Sequence, residues 1–201
     1  MKGLLIKDFY LLIKYCKFYF AITVIFIGVS LINDNEAVFM YYPCLLGSIL
    51  PVTLCAYDEK EKWCSYCGTL PVSKSQYVFA KYIFGFVIVV IMTLSVTAVQ
   101  ALKMEPFRID DCISIATGLL LAGLIPSSFI LPFIFIFGVE KGRIAYFVAI
   151  GLVVAIMTAA EQIALPAGGM FSLPFALLLA FALYLFSGLL SGFFYQKREI
   201  S

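Results

Sequence analysis

Six long stretches of the chain consist almost entirely of apolar residues, and short polar segments separate them. The apolar residues run on without alternating with polar ones, which is typical of membrane-spanning helices and not of barrel strands. A helix needs about 20 such residues to cross the hydrocarbon core of a bilayer, so each stretch predicts one crossing. The predicted spans are residues 18–32, 38–56, 78–102, 113–137, 144–164 and 173–194.

The segment before the first span, residues 1–17, mixes lysines with apolar residues. Lys7, Lys14 and Lys17 fall on one side of a helical wheel, and most apolar residues, Phe9 among them, fall broadly opposite. This pattern predicts an amphipathic helix that lies in the headgroup plane of the membrane. The predicted fold is therefore an all-α integral membrane domain with six transmembrane helices and an N-terminal interfacial helix.

The composition excludes a water-soluble fold. The chain is 63% hydrophobic and 13% charged, whereas soluble domains average about 45–50% apolar and about 25% charged residues. Six crossings use most of the 201 residues, so no room remains for a separate soluble catalytic domain. We interpret residues 1–201 as a single transmembrane domain.

The positions of the basic residues predict the orientation of the chain in the membrane. With the N-terminus inside, 12 of the 14 lysines and arginines fall on the cytoplasmic side, and only Lys103 and Arg108 fall outside. Basic residues in short loops concentrate on the cytoplasmic side of membrane proteins. We therefore expect a multi-pass membrane protein with both termini in the cytoplasm.

The longest polar segment, residues 57–77, lies between the second and third predicted spans and on the cytoplasmic side. Its interleaved charges at 58–62 indicate a solvated helix, which Gly68 and Pro71 would end. Ser73 can then cap a new helix, with Gln76 as the reciprocal partner of a capping box. On these residues alone, the segment is either a loop that reverses the chain or a surface that binds a partner.

Three motifs resemble those of the type-2 ABC exporter permeases. They are LLIKDFYLL at 4–12, CAYDEKEKW at 55–63 and LPVSKSQYVFAKY at 70–82. The resemblance is greatest to the small bacterial branch that includes the permeases exporting phenol-soluble modulins. There a KD pair, a YDEK followed by W, and an LPVS(R/K) followed by YV and KY recur at similar spacing. These motifs cover roughly the N-terminal two-fifths of the chain.

The resemblance implies a permease of the bacterial plasma membrane that works as a dimer. Residues 1–17 would be the interfacial elbow helix, and 57–77 would hold a coupling helix that docks on a separate ATPase subunit. The partners would be two ABC ATPase subunits, a second permease copy or a paralogue, and membrane lipid, with ATP and Mg²⁺ bound by the ATPases. The cargo would be an amphipathic peptide or a hydrophobic toxic compound. The candidate docking residues are Lys62, Trp63, Tyr66, Leu70, Pro71, Val72 and Lys74.

The chain lacks the residues that common catalytic and metal sites need. It contains no histidine and no phosphate-binding G-x-x-x-x-G-K-[ST] motif. Cys64 and Cys67 form a single C-x-x-C, whereas a zinc site requires four ligands. We therefore expect no catalytic residue, no metal, no cofactor and no nucleic-acid partner for this chain.

Three other features leave alternatives open. Asp8 either pairs with a basic residue near the third span or lies in water at the start of its helix. Glu161 and Gln162 either form an outer gate or lie in the interface; as a gate, Glu161 would contact Lys103, Arg108 or the backbone amides of residues 168 and 169.

Pro126 and Pro132 interrupt the fourth span and either mark a pathway wall or only bend the helix.

An ion-coupled secondary transporter, a membrane-embedded enzyme and an assembly protein remain alternative functions. A secondary transporter typically has broken helices at matching positions in the two halves of its chain. A membrane-embedded enzyme typically has clustered acid, base or nucleophile residues within its spans.

Overall fold

The computed structural model describes residues 2–32, 37–63, 66, 73–103, 108–142, 144, 147, 148, 151 and 173–197. This part of the chain is helical and contains no strand, which confirms the predicted all-α class. Its principal helices are α1 (Lys2–Tyr15), α2 (Lys17–Ile32), α3 (Ala37–Lys60), α4 (Lys74–Lys103), α5 (Ile109–Phe137) and α6 (Leu173–Lys197).

Four of these helices, α3 to α6, are long and apolar enough to cross a membrane. Helices α1 and α2 together form a fifth candidate, but they are bent by 69° where they meet at Cys16. The 16 residues of α2 fall short of the ~20 that a straight crossing needs. The chain is thus a multi-pass membrane protein. The fifth predicted span, 144–164, lies almost wholly outside the described residues, so the total of six spans stays a prediction.

One end of the helix bundle collects the start of α4 and the ends of α5 and α6. The rings of Tyr77, Phe135 and Tyr195 meet there, with centroids 5.4 to 6.2 Å apart. At the other end, Gln100 of α4 donates a hydrogen bond to Ser30 of α2. Helices α5 and α6 therefore run parallel.

Glycines allow α4 to pack closely against its neighbours. A Cβ atom at Gly123 of α5 would lie 2.5 Å from Val89 Cγ1, and one at Gly85 would lie 2.8 Å from Pro51 Cγ. Small residues at helix interfaces are typical of membrane bundles, because close packing must replace the hydrophobic driving force that lipid removes. Gly138 ends α5 with a φ of 91°, and its N–H bonds the carbonyl of Ile134 at 2.8 Å.

Helix α1 packs against the bundle with only part of the side that the sequence predicts to be apolar. Phe9 was expected on the same side as Leu12, but it is 55% exposed, whereas Leu12 is buried. The buried stripe recurs every fourth residue and consists of Leu4, Asp8, Leu12 and Cys16. The side facing outward carries an apolar band of Ile6, Phe9 and Ile13, beside Lys14, Lys17 and Tyr10.

Candidate coupling site

Two aspartates and two lysines meet where α1, the end of α3 and the start of α4 come together. Asp8 and Lys81 are 1% exposed, Asp58 is 2% exposed, and Lys7 closes the group toward the surface. We call Lys7, Asp8, Asp58 and Lys81 the ion cluster. Its members come from three helices that are far apart in sequence, so the cluster joins these helices at one point.

Lys81 lies between the two carboxylates of the ion cluster. Its Nζ is 2.7 Å from Asp8 Oδ1 and 2.7 Å from Asp58 Oδ2. Lys7 Nζ donates to Asp58 Oδ1 at 2.6 Å and lies 3.3 Å from Asp8 Oδ1. The hydroxyl of Tyr77 donates to Asp58 Oδ2 at 2.8 Å. Both oxygens of Asp58 are therefore bound, one toward α1 and one toward α4.

The two positive and two negative charges of the ion cluster cancel. An isolated charge buried this deeply costs several kcal/mol, and only pairing with good geometry offsets the loss of hydration. Every member has an opposite charge within 3.3 Å, so each buried charge in the ion cluster has a partner. Removing one member would leave an uncompensated buried charge.

The ion cluster extends directly to residues 61–73, which join α3 to α4 and contain most of the predicted docking residues; we call them the docking segment. Lys7 Nζ lies 4.4 Å from the centre of the Trp63 ring, a distance typical of a cation–π contact. The Trp63 ring in turn lies 5.4 Å from that of Tyr66, whose side chain is 57% exposed. A surface residue of the segment is thus two contacts away from the buried charges.

A second carboxylate at the end of α3 binds the segment that follows α5. Glu59 Oε2 accepts a hydrogen bond from the backbone N–H of Val139 at 3.3 Å. Residues 139–142 are helical, so Glu59 serves as a cap for the first turn of this helix, whose amides have no partner within it. The adjacent carboxylates Asp58 and Glu59 therefore connect α3 to α1, α4 and the segment after α5.

The structure describes four of the seven predicted docking residues. Lys62 is exposed with a φ of 52°, Trp63 and Lys74 are partly buried, and Tyr66 is exposed. Leu70, Pro71 and Val72 lie outside the described residues, so the predicted coupling helix stays a prediction.

The predicted capping box at the start of α4 is confirmed. The Ser73 hydroxyl accepts from the Gln76 N–H at 3.3 Å, and Gln76 Oε1 accepts from the Ser73 N–H at 3.2 Å. This box begins α4 at the point where the docking segment ends.

The predicted outer gate is not tested, because Glu161 and Gln162 lie outside the described residues. Of its proposed partners, Lys103 donates a hydrogen bond to the carbonyl of Ser30 at 3.3 Å, and Arg108 is exposed. Cys64 and Cys67 also lie outside, and the remaining described positions contain no group of residues that could hold a metal ion.

Pro126 and Pro132 both lie inside α5, which continues through them as one helix. Pro126 is buried and Pro132 is partly buried. Each removes one N–H from the helix, so one carbonyl four residues earlier must find another donor.

Sequence reasoning found part of the ion cluster. It proposed that Asp8 pairs with a basic residue near the third span, and Lys81 confirms this alternative. It did not include Lys7, Asp58, Tyr77 or Lys81 among the site residues. A signal was nevertheless present, because all of them lie in the three quoted motifs: the KD pair, YDEK, and YV followed by KY.

A comparison with protein families agrees with this architecture. The profile of a family described as ABC-2 family transporter protein matches residues 3–196. The chain belongs to this family. The type-2 ABC permease family suggested by the three motifs is therefore confirmed, whereas the narrower resemblance to phenol-soluble modulin exporters stays a prediction. No curated protein and no solved structure matches the chain.

In this ABC-2 chain, the three motifs supply every residue of the ion cluster. Lys7 and Asp8 come from the first motif, Asp58 from the second and Lys81 from the third, which also supplies Tyr77. The motifs thus describe one three-dimensional site at the base of the docking segment.

Proposed function

We propose that the chain is the permease subunit of an ATP-driven exporter and forms the translocation pathway as a dimer with two ATPase subunits. The family profile, which covers residues 3–196, supports a membrane transport component. The absence of a G-x-x-x-x-G-K-[ST] motif from the sequence supports a separate ATPase. The observation that carries the proposal is the ion cluster at the base of the docking segment.

The ion cluster would transmit movement of the ATPase to the membrane helices. An ATPase bound to residues 61–73 would push on Trp63 and on the end of α3. Because the contacts of Lys7 and Lys81 with Asp58 are 2.6 and 2.7 Å long, separating the helices would expose unpaired buried charges, which costs several kcal/mol. Helices α1, α3 and α4 would therefore move together at this end.

No residue of the chain needs to act as a catalyst in this mechanism. ATP and Mg²⁺ would be bound by the partner, and the chain would contribute docking, positioning and the pathway itself. The balanced charges of the ion cluster favour this function over an ion-coupled carrier, which needs a carboxylate that can bind and release a proton or cation. Asp8 and Asp58 are instead neutralised by Lys81 and Lys7.

The proposed cargo is an amphipathic peptide or a hydrophobic toxic compound, and the motif resemblance supports this choice. Such cargo would enter either from the inner leaflet or through alternating access of the dimer. Export with ATP in inverted vesicles, using a fluorescent amphipathic helical peptide as the probe, would test it.

The test of the proposed function is recovery of an ATPase with the affinity-tagged chain. We expect a Walker-motif subunit to co-purify with the wild-type chain. We expect Lys62→Glu with Tyr66→Ala, and separately Leu70→Asp with Val72→Asp, to abolish recovery while the chain still inserts into the membrane. Lys14→Glu, an exposed lysine on α1, is the matched control. Transport that continues without any ATPase subunit would overturn the proposal.

A further inference from the structure

A second polar group lies inside the bundle, at a proline of α5. Residue 132 is a proline and has no N–H, so the carbonyl of Ser128 lacks its usual donor within the helix. The hydroxyl of Ser187 on α6 donates to this carbonyl at 2.5 Å. Both serines are buried. Helix α6 thus supplies the hydrogen bond that the proline removes from α5.

The direction of the neighbouring hydrogen bonds follows from the number of protons. Ser187 gives its single hydroxyl proton to the Ser128 carbonyl, so it must accept from Tyr82, whose oxygen is 2.8 Å away. The Tyr82 proton is then used, so the hydroxyl of Ser191 donates to Tyr82 at 2.7 Å. The result is one directed chain, from Ser191 through Tyr82 and Ser187 to Ser128, across three helices.

Tyr82 is held firmly in this position. The hydroxyl of Tyr184 donates to the Tyr82 backbone carbonyl at 2.7 Å. Gly188 lies against the Tyr82 ring, where a Cβ atom would be 3.5 Å from the ring edge. The absence of a side chain at Gly85, where a Cβ atom would lie 3.2 Å from the Tyr184 hydroxyl, lets α4 and α6 approach closely enough for these bonds.

The preceding residue, Lys81, belongs to the ion cluster. Two consecutive residues of α4 therefore connect different parts of the molecule: Lys81 binds Asp8 and Asp58, and Tyr82 binds Ser187. A displacement of α4 at the ion cluster must also displace the Tyr82 hydroxyl relative to α6.

We propose that Tyr82 and Ser187 are positioning residues that keep α5 from bending at Pro132. A movement of α4, caused by movement of the docking segment, would remove this constraint. The release would let α5 bend at Pro132, because the displaced Tyr82 hydroxyl would turn the bonded Ser187 hydroxyl away from the Ser128 carbonyl, which would then lack a donor. The link to the docking segment rests on the proposed function, whereas the stabilisation of α5 does not.

Hydrogen exchange of the purified chain in lipid nanodiscs tests the stabilisation of α5 directly. We expect Ser187→Ala to speed amide exchange in residues 129–137 about tenfold, because a buried carbonyl loses its donor. Tyr82→Phe should have a smaller effect, about twofold, since the bond from Ser187 to Ser128 remains. Ser127→Ala is the matched control: Ser127 is equally buried, but its hydroxyl bonds the Gly123 carbonyl of its own helix.

A second variant separates the proposal from a general loss of packing. Pro132→Ala restores an N–H at residue 132 and gives the Ser128 carbonyl a donor inside the helix. In this background, Ser187→Ala should no longer change the exchange of residues 129–137. Equal acceleration with and without Pro132, or unchanged exchange in Ser187→Ala alone, would overturn the proposal.

In the assembled complex, Ser187→Ala should raise the amount of ATP hydrolysed per exported peptide severalfold, because α5 would open without the movement of α4. Ser127→Ala should leave this ratio unchanged. If no ATPase associates with the chain, the proposed function fails while the exchange result still tests the role of Ser187. If the ratio stays at the wild-type value while exchange in α5 accelerates, the link to α4 is wrong.

Discussion

Lys81 carries a full positive charge in an almost completely buried position, and its surroundings explain why the fold tolerates this charge. Its Nζ has a carboxylate oxygen at 2.7 Å on each of two sides, and the Tyr77 ring lies 5.4 Å away. Replacing a complete buried ion pair by apolar residues is often neutral, whereas removing one partner is strongly destabilising. The ion cluster can therefore be tested by unbalancing its charges.

We expect Lys81→Met to lower the free energy of unfolding by about 3–5 kcal/mol, because Asp8 and Asp58 would then share only Lys7. Thermal or denaturant unfolding of the purified protein in detergent measures this change. Lys60→Met, which removes an exposed lysine from the end of α3, should change stability by less than about 0.5 kcal/mol.

The double variant Asp8→Asn with Lys81→Met restores the charge balance, since Lys7 and Asp58 remain paired at 2.6 Å. It should be more stable than Lys81→Met alone. A single variant as stable as the wild type would show that the ion cluster contributes nothing to the fold. A double variant no better than the single would show that packing, and not charge, is lost.

A different residue-scale prediction concerns Gly123. A Cβ atom there would lie 2.5 Å from Val89 Cγ1, and Val89 is completely buried. We expect Gly123→Ala to destabilise the protein by about 1–3 kcal/mol, the usual cost of overpacking. Gly28, whose Cβ would meet nothing within 4 Å, is the control, and Gly28→Ala should be neutral or stabilising.

Unfolding measurements on both variants test whether the close packing at Gly123 is required for stability. A third variant adds Val89→Ala to Gly123→Ala. The second change removes the clashing methyl groups, so it should restore part of the lost stability. If Gly123→Ala is as stable as Gly28→Ala, the close approach of α4 and α5 is not required.

At the scale of elements, long apolar runs were enough to predict α3, α4, α5 and α6. The pattern of apolar residues shows which secondary structure the chain prefers locally and whether its side chains need lipid around them. Both depend on residues that are neighbours in sequence. The capping box of Ser73 and Gln76 was predictable for the same reason, since its partners are three residues apart.

The ion cluster was harder to predict, because its partners are far apart in sequence. Asp8 and Lys81 are separated by 73 positions, and no local pattern shows which helices will meet. The side of α1 that packs against the bundle was hard to predict for a related reason. A helix that contacts both protein and lipid buries apolar residues on two sides, so apolarity alone does not show that Leu12 packs inward while Phe9 does not.

The cap formed by Glu59 leads to a prediction about the segment after α5. Glu59→Ala removes the acceptor of the Val139 N–H. We expect amide exchange in residues 139–142 to accelerate by about two- to tenfold, consistent with the loss of a helix cap. Exchange measured by mass spectrometry on the purified chain tests this.

Glu140→Ala is the matched control, because Glu140 is an exposed glutamate within the same short helix. It should leave exchange in this segment near the wild-type rate. Glu59→Gln should retain much of the protection, since an amide oxygen can still accept the bond. Equal acceleration by Glu59→Ala and Glu140→Ala would mean that Glu59 does not cap the helix.

At the scale of the whole molecule, the described elements make polar connections at both ends of the bundle, in addition to the serine and tyrosine bonds inside it. The ion cluster, the Glu59 cap and the contact of Tyr77 with Tyr195 lie at one end. The hydrogen bond between Gln100 and Ser30 lies toward the other. The end with the ion cluster also contains α1 and the docking segment, which the basic residues predict to be cytoplasmic.

Site-directed labelling tests the predicted orientation of the whole chain. In a cysteine-free background, a membrane-impermeant maleimide added to intact cells should label cysteines introduced at Asn35 and Pro106. It should not label cysteines at Ser65 or Lys141 until the cells are permeabilised. The reason is the distribution of charge: 12 of 14 basic residues fall on the side that holds Lys141, and basic residues of short loops stay in the cytoplasm.

Labelling after permeabilisation controls for accessibility at every site. If Lys141→Cys reacts in intact cells and Pro106→Cys does not, the orientation is reversed, and the ion cluster would then face away from any cytoplasmic ATPase.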